Sequence, residues 1–443
     1  MELYTAVLQH QPNHPIAKKR LRELQKELPQ TPSMKEKMSS PPQDEIDALV
    51  NLYHSGQMIK AEQASSELLK PYPQALVAIN VLGAALRGQG KLQEAVQAYD
   101  KAIQLNPDYA KAHYNLGNTL QELGRSKDAE ASYRKAIALK PDYVKAHYNL
   151  GLVLQTLGNI DAAAAVFRAA CNLDPASHMS LFYLHSTYYR DMNTDFDAAI
   201  KCLNEAVQIA PTDGLINFFL GMLLDYKGQE EKAEHYFSLV HENMSVNYAQ
   251  FESWSWVKST TSQYPLLFWQ KYDGFDYAFD AAQLDGLILE FGVAHGASIR
   301  KLASMTDQVI HGFDSFQGLP ESWSHLPKGA FNANGHVPLA PDHVKFHVGL
   351  FDQTLPSFLI NNEEPIKFLN IDCDLYSSTK TIFDLIESRI VSGTVIFFDE
   401  YFGYKNWRNH EFKAFQEAAS EFGWQYEYLA FSLISYQAVV LIR

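Results

Sequence analysis

Two strand-like runs near the C-terminus each end in paired acids. IKFLNIDCD carries Asp372 and Asp374, and VIFFDE carries Asp399 and Glu400. Apolar runs separated by amphipathic segments indicate a mostly parallel sheet, whose strands end at a common edge, so up to four carboxylates converge there. Such crowding is unfavourable unless a proton or a cation intervenes. A hard ion such as Mg²⁺, held by two or three carboxylates with water or a substrate oxygen completing its shell, resolves it. The competing explanation is that some of these acids are solvated turn or cap residues, and it applies most readily to Asp374. Upstream, LILEFGVAHGAS ends a strand with Glu290 and opens a turn with Gly292 and Gly296 before a helix. Glycines there let backbone approach a ligand where side chains would obstruct it. Asp314 ends the next strand, 24 residues after Glu290, as expected of a carboxylate that accepts hydrogen bonds from ribose hydroxyls. Together these residues favour an adenosine-containing cofactor.

The elements that must position them begin at Asp285. GLILEFG, VIHGFD, VKFHVGLF, IKFLNID, GTVIFFDE, WQYEYLAFS and QAVVLIR read as strands alternating with helices over 285–443, and ligands of such sheets bind at the carboxyl ends of the strands. The last two runs lie close together around SLISYQ, which predicts a hairpin and a final strand antiparallel to the rest. Residues 250–284 are rich in aromatics and read as connector helices leading into, or partly covering, this domain.

The first half has a different order. Pro73, Pro107, Pro141 and Pro175 are 34 residues apart, Pro211 follows after 36, and Gly83, Gly117 and Gly151 keep the same register. About five full helix-turn-helix repeats are expected over 44–249, preceded by partial repeat helices at 1–28 and a Pro/Ser-rich linker at 29–43. Asn115 and Asn149 recur on successive first helices, where they either hold an extended peptide or bridge neighbouring repeats.

Composition narrows the classes. The chain has 443 residues, enough for two or three domains, and a formal charge of −14, with 51 acids against 37 bases. That balance argues against a general nucleic-acid binder. The N-terminus lacks the pattern of a signal peptide, and no apolar run is long enough to span a bilayer, so a cytoplasmic location and no membrane partner are expected. Cys171, Cys202 and Cys373 have no CxxC spacing and read as small core residues.

AKAHYNLGNTLQELGRSKDAEASYRKAIALKPDY and the segment after it resemble tetratricopeptide repeats. The region 285–443 resembles class I S-adenosylmethionine-dependent methyltransferases, and the GxGxxG turn of nicotinamide-binding domains is absent. The expected architecture is therefore an all-α tetratricopeptide solenoid followed by an α/β class I methyltransferase (Rossmann-like) domain, with a mostly parallel sheet and an antiparallel last strand. GFDSFQGLPESW, GLFDQTLP, NIDCDLYSST and VIFFDEYFGY, in that order, are similar to motifs of the macrocin O-methyltransferase-like family. The resemblance implies S-adenosylmethionine and Mg²⁺ as cofactors. It places Glu290, Gly292, His295, Gly296, Ser298, Asp314, Ser315, Phe351, Asp352 and Asp372 around the methyl donor, and Asp372, Asp399 and Glu400 at the metal. The family commonly has two aspartates where this chain has Asp399 and Glu400.

The expected reaction is O-methylation of a sugar-like or other small-molecule acceptor, with Asp372 or Asp374 taking the hydroxyl proton. His325, His336 and His343, in a long segment expected to cover the substrate, are alternative bases. Tyr376, Tyr401, Phe402, Tyr404 and Trp407 either line the site or pack the core. The repeats would recruit a protein or peptide on their concave face, the acceptor, or a second copy of the chain. The contrasting reading is a repeat scaffold with a vestigial methyltransferase domain.

Overall fold

The computed structural model describes residues 40–189, 195–242, 248–261, 264–323 and 326–443. The partial helices expected at 1–28, most of the linker expected at 29–43, and His325 lie outside the described residues. The described residues form two compact units, divided between Pro141 and Asp142.

In the first unit, α1 (Gln43–His54), α2 (Met58–Leu68), α3 (Leu76–Gly88), α4 (Leu92–Leu105), α5 (Ala110–Glu122) and α6 (Ser126–Leu139) pack in chain order, each on the next. A small residue on the first helix of a pair faces a ring on the second. A Cβ at Gly117 would lie 2.7 Å from Tyr133 Cε1, and one at Gly83 2.7 Å from Tyr99 Cε1. That spacing leaves no room for a methyl group, so the glycine period records close helix packing. Asn115 donates to Asn80 Oδ1 at 2.9 Å, the repeat-bridging role.

The second unit begins with further helix pairs, α7 (Val144–Thr156), α8 (Ile160–Leu173), α9 (His178–Ser186), α10 (Phe196–Ile209), α11 (Gly214–Tyr226) and α12 (Glu230–Glu242). The described residues thus hold six helix pairs where the sequence reading counted about five. Leu49 sits in the glycine register of the first pair. In the fifth pair the same register holds His185, which is fully buried. No described helix is long and apolar enough to cross a membrane.

The segment read as connector helices also contains a strand. After α13 (Tyr248–Thr260), β1 (Leu266–Leu267) pairs in parallel with β7 (Tyr426–Phe431), and α14 (Lys271–Ala281) follows. Two leucines carry no period from which a strand can be read.

The sheet is completed by β2 (Leu287–Phe291), β3 (Ile310–Asp314), β4 (Val344–Val348), β5 (Ile366–Ile371), β6 (Val395–Phe398) and β8 (Ala438–Ile442), in the order β1-β7-β8-β6-β5-β2-β3-β4. Only β8 runs antiparallel to its neighbours, β6 and β7. The fold is the expected solenoid followed by a mostly parallel α/β sheet with a reversed last strand. Residues alternate along the buried strands. Ile288, Phe368 and Phe397 pack with α14 and α15 (Ala297–Ala303), while Leu289, Leu369 and Phe398 face the opposite core. That second core is continuous with Phe182, Phe219, Trp254 and Trp269, so the later repeats and the sheet share one apolar interior.

Candidate functional site

The chain leaves β2 toward β3 and β4 on one side and later returns to β5 and β6 on the other, which makes the carboxyl end of β2 a topological switch point. A cavity of about 510 Å³ lies there. Gly292, at φ +90°, has its missing Cβ 1.7 Å from the Asp372 carbonyl oxygen. The glycine therefore admits the backbone of β5's end, and with it the acids that follow.

On one flank, Asp314 accepts hydrogen bonds from the backbone N–H of Ala294 at 2.7 Å and of Phe316 at 2.6 Å. Its carboxylate ties the turns after β2 and β3 together at the cavity wall. His295, Ser298, Ser315, Phe351 and Asp352 also line the cavity, the last two from the first turn of α16 (Phe351–Asn361). Two residues of the expected set stand behind the wall. Glu290 is fully buried and accepts from Ser298 Oγ at 2.8 Å, and burial pushes its carboxyl up to about 7. Gly296 caps α15 at φ +76°, where a Cβ would meet Arg300 and Pro338.

The opposite flank is acidic. Oxygens of Asp372, Asp374 and Glu400 lie within 4.8 Å of one another. Burial, reinforced by the neighbouring carboxylates, raises Asp372 and Glu400 well above the usual carboxylate range, and burial raises Asp374 to about 6. Asp374 is left-handed at φ +61°, an uncommon conformation for a residue with a side chain. Glu411, fully buried, accepts from the backbone N–H of Cys373 at 3.4 Å and of Asp374 at 3.2 Å and holds that turn. Glu400 Oε2 is buried without a hydrogen-bond partner. Several carboxylates held together, with an unsatisfied oxygen among them, fit a divalent cation.

Asp399 departs from the expected metal set. Its Oδ2 accepts from Lys271 Nζ at 2.5 Å and its Oδ1 from Gln437 Nε2 at 2.8 Å. Lys271 also donates to Asp372 Oδ2 at 3.0 Å. The three converging acids therefore include Asp374 in place of Asp399.

Residues 289–401 match a methyltransferase-domain family. Residues 83–124 and 114–178 match two tetratricopeptide-repeat families. No curated protein matches the chain. Among solved structures, the chain is similar to a crystal structure of MamA, at 25% identity and a TM-score of 0.34, over 36% of this chain and 93% of that one. It is similar to PilF of Pseudomonas aeruginosa at 19% identity and a TM-score of 0.43, over 48% and 96%. It is also similar to the calicheamicin methyltransferase CalS11, at 21% identity and a TM-score of 0.32, over 38% and 77%.

In the methyltransferase domain several expectations shift. Tyr401, Phe402 and Trp407 are buried in the core, Tyr404 packs against it, Tyr376 donates to Glu417, and none of the five rings lines the cavity, which Phe331 and Phe351 do line. His336 and His343 do not line it either, and among the described residues His295 is the histidine that does. The segment between β3 and β4 does reach the cavity, through Gly318, Leu319, Pro320 and Phe331. Lys271 and Glu411 were missed in the sequence. Lys271 reaches the site from 101 residues before Asp372 and 128 before Asp399, and Glu411 opens a helix without any motif to mark it.

Proposed function

We propose that this protein transfers a methyl group from S-adenosylmethionine to a hydroxyl oxygen of a small-molecule acceptor at the cavity beside β2 and β5. The observation that carries the reading is the pairing, across one cavity, of the glycine turn closed by Asp314 with the carboxylate group Asp372, Asp374 and Glu400. When bound, the sulfonium donor supplies an electrophilic methyl, and Mg²⁺ supplies charge that lowers the pKa of an adjacent hydroxyl. Asp372 and Glu400 would hold the ion. Asp374 takes the hydroxyl proton as the oxygen attacks, because Asp372 already accepts from the Lys271 ammonium. Asp314, anchored by two backbone N–H groups, offers its remaining acceptor capacity to the donor's ribose. Leu319 and Phe331 bring apolar surface to a reaction in which charge disperses.

Sugar-like hydroxyls are the first acceptors to try. Tetratricopeptide repeats commonly bind proteins or peptides, and the array recruits such a partner, an acceptor carrier or a second copy of the chain. Calorimetric titration of S-adenosylmethionine, with and without Mg²⁺, tests the reading. Micromolar binding that is lost in Asp314→Ala, with a Mg²⁺ effect lost in Glu400→Gln, supports it. No binding by folded wild-type protein leaves the repeats as the working part.

A further inference from the structure

We propose that Lys271 is a positioning residue, an internal counter-ion that withdraws Asp399 from the cation group, and that the later repeats hold it in place. The inference rests on the methyl-transfer reading for its purpose and on side-chain geometry for its substance.

Lys271 begins α14, yet its ammonium bridges Asp399 at the end of β6 and Asp372 at the end of β5. With Asp399 also bound to Gln437, the lysine and glutamine occupy both of its oxygens. One fixed positive charge then stands beside three convergent carboxylates. It offsets part of their repulsion and sets how strongly they attract a further cation.

The backbone entering Lys271 is fastened from two directions. On the sheet side, Phe268 N–H donates to the Phe431 carbonyl at 3.2 Å, and Ser435 Oγ donates to the Trp269 carbonyl at 3.1 Å. On the repeat side, the Trp269 ring packs against His185 at 5.1 Å, Phe219 at 5.4 Å, and Phe182 and Tyr189 each at 5.8 Å between centroids. These residues come from α9, the loop after it and α11. Tyr226, at the end of α11, donates to the Pro265 carbonyl at 3.1 Å. His185 occupies the register in which Gly83, Gly117 and Gly151 lie beneath a ring, and here its imidazole contributes to the pocket for Trp269. The repeat array departs from its own pattern where it grips the segment that delivers Lys271. An array serving only to recruit partners would have no need of that grip.

The test is Mn²⁺ binding to the full chain without S-adenosylmethionine, followed by paramagnetic resonance and calorimetry. Lys271→Met removes the charge while leaving both apolar cores intact. Even at the dielectric constant of water, a unit charge one carboxylate away from a divalent ion is worth a factor of about ten. Mn²⁺ should therefore bind about tenfold or more tightly to Lys271→Met, and with wild-type affinity to Lys271→Arg. Trp269→Leu, which touches no acid, should tighten binding in the same direction, with folding checked by thermal melting. Unchanged or weaker binding in Lys271→Met overturns the counter-ion role, as does failure of Mn²⁺ to bind either protein. Wild-type affinity in folded Trp269→Leu overturns the role of the repeats. Absence of S-adenosylmethionine binding would sink the methyl-transfer reading and leave the Mn²⁺ comparison standing.

Discussion

Replacing Gly292 with alanine sets a methyl group against backbone. The added Cβ would lie 1.7 Å from the Asp372 carbonyl oxygen and 2.5 Å from its carbonyl carbon. A normal carbon–oxygen contact exceeds about 3 Å, so the turn after β2 and the end of β5 must part by more than about 1 Å. Alanine at φ +90° adds strain of about 1–3 kcal/mol. Overpacking adds about 1–3 kcal/mol more, so the expected total is about 2–6 kcal/mol. Gly423→Ala is the control: its φ is +72° and no atom lies within 4 Å of the new Cβ, so it isolates backbone strain at about 1 kcal/mol. Both variants should be compared by scanning calorimetry, following the transition of the second unit, and by Mn²⁺ titration. Gly292→Ala should melt lower than the control by several degrees and lose cation affinity, because Asp372 moves with its carbonyl. Equal melting temperatures together with unchanged Mn²⁺ binding would refute the claim that this glycine exists to admit β5.

Three further outcomes are expected. Gly151→Ala places a Cβ 2.4 Å from the Phe167 ring and should destabilise the second unit by about 1–3 kcal/mol, with Phe167→Leu restoring part of the loss in the double variant by thermal melting. Burial lowers the His185 pKa to about 3 from an ordinary value near 6.5. The unfolded chain therefore binds a proton at this residue that the folded chain rejects, and the contribution of His185 to stability falls by about 2 kcal/mol between pH 7 and pH 5. The buried acids with raised pKa values change in the opposite direction, so the test is a comparison: between pH 7 and pH 5, melting curves should show wild type faring worse than His185→Gln by about 2 kcal/mol. Asp225 is buried, accepting from Trp254 Nε1 and Lys258 Nζ at 2.8 Å each. Asp225→Ala strands the buried indole N–H and should cost about 2–4 kcal/mol, whereas Lys258→Met costs less; chemical denaturation separates the two.

What the sequence revealed and what it hid divide along physical lines. The Gly–aromatic spacing of Gly117 with Tyr133 is a local packing rule repeated in register, so the array is legible. Apolar strands ending in acids likewise mark the sheet edge, and Asp314, Asp372, Asp374 and Glu400 all line the predicted cavity. Glu290 misleads because a buried carboxyl and a ligand-facing one look alike at a strand end. Lys271 is invisible because its partner Asp399 is 128 residues away and its placement depends on Trp269 meeting the repeats. The number of pairs within 44–249 is harder to count because Leu49 and His185 stand in the register that Gly83, Gly117 and Gly151 mark.

The reversed strand β8 lies between β6 and β7, in the interior of the sheet, although it follows both in the chain. During synthesis the sheet must remain open at that slot until residue 442 has cleared the ribosome. Helices of the first unit contact their immediate neighbours in the chain and can assemble as they emerge. The second unit must wait, with the repeat surface destined for Trp269 and two sheet edges exposed, and that interval is when aggregation threatens this chain most.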